Sequence, residues 1–125
     1  MRIGLVVDSS CDLPQDFIRE HGIEILPVTI RLGDDEIVDR HDELAALEFY
    51  RSQIGERGAA AESVPFSAEQ IGELFLGRMV SVYDYVFCET VARSRSAIFE
   101  NATKASFTIL STYREAREAS GKDTP

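Results

Sequence analysis

A chain of 125 residues with 44% apolar and 28% charged side chains has the makeup of one globular domain with room for a core. Thirteen Lys and Arg against 22 Asp and Glu leave a net charge of -9, which speaks against the basic footprint that nucleic acids and anionic membranes require. No apolar run reaches the roughly 18 residues of a bilayer span and no secretory leader opens the chain, so a cytoplasmic location is expected.

Residues 2–8, Arg2-Ile-Gly-Leu-Val-Val-Asp8, read as a strand buried on both faces. It opens into the polar loop Ser9-Ser10-Cys11-Asp12, and Pro14 sits where a first helical turn begins. A helix over about 14–21 follows, with Asp12 or Leu13 at its cap, Phe17 and Ile18 inward, and Gly22 closing it. Ile23 to Leu32 is rich in strand formers, and Pro27 makes it an edge or a bent strand. Gly33-Asp34-Asp35 is a tight turn into a short returning strand, Glu36 to Asp39.

Asp42 caps a helix on which Leu44, Leu47, Tyr50 or Arg51, and Ile54 recur at helical spacing. Gly55 to Ser63, with two glycines and three consecutive alanines, is the expected flexible stretch. Ser67-Ala-Glu-Gln70 is a capping box, followed by the apolar face Ile71, Leu74, Phe75. Val82 to Cys88 reads as a second buried strand, and a long helix is expected over about 96–118, carrying Ile98, Ala102, Ala105 and Ile109 along one side. Apolar strands alternating with helices point to an α/β fold, a three-layer α/β/α arrangement around a mostly parallel sheet. Few good strands are present for such a sheet, so a fragment of something longer is expected.

Dinucleotide, phosphate-loop and nucleophile-elbow signatures are missing, and no His pair has metal spacing. No metal and no cofactor are expected. His21 and His41 read as surface or capping residues. Cys11 and Cys88 fall near strand ends and, lacking a Cys-x-x-Cys spacing, are expected as unpaired thiols. Asp8, Ser9 and Ser10 admit a phosphocarrier-type enzyme reading, weakened because no Lys occurs before Lys104. The better candidate is Glu89-Thr-Val-Ala-Arg93-Ser94-Arg95-Ser96, which leads into the last long helix. A helix start with two guanidinium groups and several hydroxyls suits an anion. The plainer alternative is a serine N-cap beside two solvated arginines. Glu62-Ser63-Val64-Pro65-Phe66-Ser67 alone reads as a linker and cap.

The run Asp8-Ser9-Ser10-Cys11-Asp12-Leu13-Pro14 resembles the opening of the DegV-like fatty-acid-binding proteins. Pro27-Val-Thr-Ile30, Gly33-Asp34, Asp39 and Phe49-Tyr50 follow in that family's order, so the likeness covers roughly residues 1–105. The resemblance implies that residues 1–125 are the amino-terminal lobe of a longer two-domain bacterial protein. It implies a carrier, not a catalyst, that binds a long-chain fatty acid and presents its carboxylate to a partner kinase.

The family's Thr-Ser-Gln-Pro-Ser head-group motif aligns with Glu62-Ser63-Val64-Pro65-Phe66, and its Ser-Gly-Thr-Tyr motif with Ser96-Ala97-Ile98-Phe99. The ligand-binding residues expected on this likeness are Glu62, Ser63, Arg93, Arg95, Ser96 and Ala97. A Glu beside a carboxylate repels it unless it is paired or protonated. Pairing of Glu62 with Arg93 or Arg95 is therefore expected, with head-group recognition altered or abolished. A lobe that has lost the lipid site and acts in protein contacts is the alternative. An exposed apolar edge on such a lobe favours self-association.

Overall fold

A computed structural model describes residues 1–57 and 62–124, without the side chains of Leu32, Tyr50 and residues 52–57. The elements in order are β1 (Ile3–Asp8), α1 (Gln15–Glu20), β2 (Glu24–Leu26), β3 (Val28–Leu32), β4 (Asp35–Asp39), α2 (Glu43–Arg57), β5 (Glu62–Pro65), α3 (Ala68–Leu74), β6 (Tyr85–Glu89), α4 (Ile98–Thr108) and α5 (Tyr113–Ala119). A π-helical turn, Phe75–Met79, extends α3, and a 3-10 turn, Ile109–Ser111, joins α4 to α5.

The strands form two sheets. β2, β1 and β6 make a parallel sheet in that order, while β4, β3 and β5 make an antiparallel one. The expected α/β class with a parallel sheet is what the chain adopts. Pro27 is the reason for the second sheet: lacking an N–H, it cannot continue a ladder. The apolar run therefore divides into β2, which joins β1, and β3, which leaves for the other sheet. Gly33 has φ +63 at the first central position of the β3–β4 turn, a conformation open to glycine at little cost.

The core lies on one face of the parallel sheet. Val6 and Leu26 meet Ile71, Phe75 and Met79 from the α3 region and Ile98, Ala102 and Ala105 from α4. The even positions of β1 and β6 share this face, because Gly4 pairs with Val86 and Val6 with Cys88. Tyr83 packs so close to β1 that a Cβ on Gly4 would lie 2.6 Å from its ring. On the opposite face Ile3, Tyr85 and Phe87 are exposed.

Several expectations need correction. β6 begins at Tyr85, not Val82, and all five of its residues are exposed. Pairing to β1 on one side leaves it as an edge, and among the described residues no strand follows it. The expected helix over 96–118 is two helices. In the Thr103–Thr112 stretch, Ser106, Thr108, Ser111 and Thr112 hydroxyls donate to backbone carbonyls three or four residues earlier. Such back-bonding competes with the helical ladder, and Thr112 leaves helical geometry at φ -126. Glu62–Pro65 is a strand, not a linker. Phe17 is exposed, stacked on His21 at 4.1 Å, and Pro14 rather than Asp12 or Leu13 is the N-cap of α1. Leu44 and Leu47 are exposed as well, and the side chains of Tyr50 and Ile54, like residues 58–61 of the expected flexible stretch, lie outside the described residues.

Other expectations hold. The Asp42 carboxylate accepts from Leu44 N and Ala45 N at 3.1 and 3.2 Å. Ser67 and Gln70 form the reciprocal capping box. Cys11 and Cys88 are unpaired. Among the described residues no helix is long and apolar enough to cross a membrane.

Candidate functional site

The carboxyl end of β1 meets four other segments around a cavity of ≈ 270 Å³. Ligands of open parallel sheets gather at this edge, because the chain leaves each strand there with unpaired backbone groups. Asp8, Ser9 and Ser10 come from β1 and its loop, the apolar Val28 and Ile30 from β3, and Asp39 from the end of β4. Ser63 comes from β5, Val91, Arg95 and Ser96 from the turn into α4, and Ile98 from the first residue of α4.

Asp8 holds this corner together. It is 4% exposed. One of its oxygens, Oδ1, accepts from Ser10 N at 2.9 Å and from the Ser10 hydroxyl. The other, Oδ2, accepts from Val91 N at 2.6 Å. Hydrogen bonds from backbone N–H groups are what a buried carboxylate needs. Here they tie the β1 loop to the loop after β6. Both oxygens are therefore occupied, which tells against a phosphoacceptor role for Asp8.

The turn into α4 is closed by Arg95 N donating to Ala92 O at 2.8 Å. Ser96 Oγ then accepts from Ile98 N at 3.2 Å, covering one of the free donors at the helix start. Arg95 makes no ion pair among the described residues. The cavity therefore combines the Arg95 guanidinium, the serines Ser9, Ser10, Ser63 and Ser96 and a helix N-terminus with two carboxylates, Asp39 and Asp8, the latter covered by its hydrogen bonds to Ser10 and Val91. That set can accept a carboxylate or another small anion.

Of the six residues expected at the site, Ser63, Arg95 and Ser96 line this cavity. Glu62 does not. Adjacent strand residues point to opposite faces, so Glu62 leaves the Ser63 side and stands opposite Arg31 in register. Arg31 is also opposite Glu36, with its Nε 3.4 Å from that carboxylate. The expected pairing of Glu62 with Arg93 or Arg95 is not formed. Arg93 instead donates to Glu100 at 3.1 Å on the first turn of α4, and Ala97 is the exposed N-cap residue of that helix.

Sequence reasoning named Asp39 only as part of the family pattern and His41 only as a surface or capping residue, and expected neither at the site. Asp39 is a cavity wall, and its Oδ1 accepts from His41 N at 2.9 Å. A non-glycine residue between a strand and a capped helix carries no sequence mark of positive φ, yet His41 has φ 61. A second cavity, ≈ 240 Å³ and mostly apolar, lies under β6. Phe75, Met79, Val86, Cys88, Phe99 and Ala102 line it, with Thr90 at its border. Cys88 is exposed as a residue, but its thiol behaves as a desolvated group, pushed up to about 11 first by burial and then by the Asp8 charge. It is a neutral thiol near pH 7 and a poor nucleophile.

A family model described as "Uncharacterised protein, DegV family" matches residues 2–119. A DegV domain-containing protein of Xanthomonas campestris pv. campestris is 51% identical over 125 residues, all of this chain and 40% of its own length. One from Xanthomonas axonopodis pv. citri gives the same figures, 51% over 125 residues and 40% of its length. The chain thus spans well under half the length of these relatives. Among solved structures, a DegV lipid-binding protein of Thermotoga maritima superimposes with a TM-score of 0.78 at 24% identity, over 86% of this chain and 38% of the other. DegV of Bacillus subtilis, described as a fatty-acid-binding protein, gives 0.73 at 18% identity, over 86% and 37%. With a family match across nearly its whole length and half-identical relatives, the chain belongs to the DegV family.

Proposed function

We propose that this chain is the amino-terminal lobe of a fatty-acid carrier and that its polar cavity receives the acid's carboxylate. The observation that carries the reading is the convergence of Ser63, Arg95 and Ser96, from two separate segments, on one cavity at the sheet edge. Arg95 supplies the charge, and the two serines supply short donors. The departure of Glu62 to the other face of β5 removes the repulsion that its sequence position suggested. The apolar cavity under β6 borders Thr90, one residue from Val91 of the polar cavity, and offers surface for part of an acyl chain. Further enclosure of that chain is assigned to polypeptide of the kind the longer relatives carry.

The protein acts in this reading as a carrier that presents the head group to a partner kinase. That finer step follows from the family likeness and is tested separately, by looking for an acyl phosphate when a fatty-acid kinase, ATP and the loaded protein are combined. The main reading is tested by extracting lipid from the purified protein for mass spectrometry and titrating the emptied protein with palmitate and hexadecanol. Palmitate binding tighter than the alcohol, and weakened about 10-fold or more by Arg95→Ala, is expected from loss of one charge-assisted contact. An empty protein that ignores palmitate would remove the proposal.

A second reading, a lobe that keeps the fold but serves protein contacts, draws on Ile98. This residue stands where the family pattern has a Thr and is 1% exposed in the core, so it offers no hydroxyl to a ligand. If that loss is decisive, the double variant Ala97→Gly, Ile98→Thr takes up palmitate where the parent does not. Equal uptake by both discards this reading.

A further inference from the structure

His41 sits at the junction of β4 and α2, and its ring reaches back to the loop after β1. Its Nδ1 is 3.1 Å from Ser9 O and its Nε2 is 2.7 Å from Leu13 O. Carbonyl oxygens only accept, so both ring nitrogens must donate. A neutral imidazole has one N–H, and its other nitrogen would set a lone pair against a carbonyl. Only the imidazolium satisfies both contacts.

The backbone is arranged for the same contact. His41 has φ 61, in the left-handed region that few non-glycine residues enter, His being among those that do so more often. It is fixed there by His41 N donating to Asp39 Oδ1 at 2.9 Å and by Gln15 Nε2 donating to His41 O at 3.1 Å. The charged groups that act on the ring are Asp39 at the end of β4 and Glu43 on α2, both anionic, while α1 contributes the uncharged Gln15.

We propose that protonated His41 is a clamp that holds the Ser9–Leu13 loop, one wall of the polar cavity, against the β4–α2 junction, and that deprotonation releases this wall. Ser9 and Ser10 line the polar cavity, and Cys11 and Leu13 line a neighbouring one that shares Asp8, Ser10 and Val91 with it. The imidazolium also offsets the Asp39 carboxylate at the cavity edge, leaving Arg95 free for an incoming anion. His41 touches no ligand; it is a positioning residue. Its bearing on ligand affinity rests on the carrier reading above, but the clamp itself does not.

Burial alone would lower the pKa of His41, but the Leu13 and Ser9 carbonyls and the Asp39 and Glu43 charges together raise it above the usual 6.5. A raised pKa in the fold means that the clamp contributes fully below about pH 6.5, the unfolded value, and is lost as pH rises through the folded value.

The test is a nitrogen-detected imidazole titration of the protein from about pH 5 to 9, the range in which histidines change charge. The proposal expects His41 to keep both N–H groups above about pH 6.5, the ordinary histidine value. The Ser9–Leu13 amides should shift with the His41 midpoint. In His41→Gly, a residue suited to φ 61, the fold should persist while that amide transition disappears; His41→Asn, which also tolerates this φ, should behave alike. Palmitate affinity should fall several-fold across the same midpoint in the parent and stay level in both variants. A His41 ring that is already neutral below about pH 6.5, or loop amides that do not move with it, would overturn the clamp. Palmitate bound equally on both sides of the midpoint would also overturn it as a device acting on this site. Co-titration of ring and loop in a protein that binds no palmitate would uphold the clamp and remove only the carrier reading.

Discussion

Arg117 shows how one buried charge can order a region far from the site. It is 6% exposed, and its guanidinium donates to Val80 O, Tyr83 O, Asp123 O and the Asp84 carboxylate at 2.6–2.9 Å. It thereby fastens α5 to the turn that feeds β6. Because truncation leaves several part-buried acceptors without their donor, Arg117→Ala is expected to cost about 2 kcal/mol in urea unfolding. A loss under about 1 kcal/mol would show that solvent replaces these bonds. The Arg2 N–H and then the Arg117 side chain hold the Asp84 carboxyl below the usual 3.8. A depressed pKa favours the fold above about 3.8, and the contribution is lost as pH falls through the lower folded value. Asp84→Asn should therefore flatten the acid limb of the stability profile.

Element by element, the sequence was most legible where a local rule decides the outcome. The capping box at Ser67, the Asp42 cap, the Gly33 turn and the first strand were all written in short patterns of residues. Ser67→Ala is expected to cost about 1 kcal/mol, since it breaks one half of a reciprocal pair. Gly4 carries a mark that only packing reveals: Tyr83 fills the space of its missing side chain. Gly4→Ala should cost about 1–3 kcal/mol through overpacking, and a neutral result would mean that Tyr83 yields freely.

What stayed hidden depends on partners distant in sequence. Pro27 announced an interruption but not that the two halves would enter different sheets. The apolar spacing of the last helix was sound, yet hydroxyl back-bonding around Thr108 outweighed it. At the site, Ser63, Arg95 and Ser96 were legible as residue types near strand and helix ends. Glu62 was misread because its face is set by the β3–β5 register, which nothing local to residue 62 encodes. His41 was missed because its partners, Ser9 and Leu13, lie 32 and 28 residues away.

For the molecule as a whole, the uneven cover of the parallel sheet matters most. Parallel sheets are ordinarily shielded on both faces, yet Ile3, Tyr85 and Phe87 are exposed on one face, and among the described residues no strand pairs with the outer edge of β6. Such an edge is a template for pairing with another strand. The 125-residue chain on its own is expected to self-associate with rising concentration in sedimentation velocity, and Phe87→Lys to keep it monomeric. Concentration-independent sedimentation of the parent chain would contradict this.

The account turns on a carboxylate lying beside Arg95. Carbon-13 NMR of carboxyl-labelled palmitate bound to the protein, compared between the parent and Arg95→Ala, examines that contact directly. The account predicts a single shifted carboxylate resonance in the parent, weakened or lost in the variant. An identical resonance at equal affinity in both would place the head group elsewhere and contradict it.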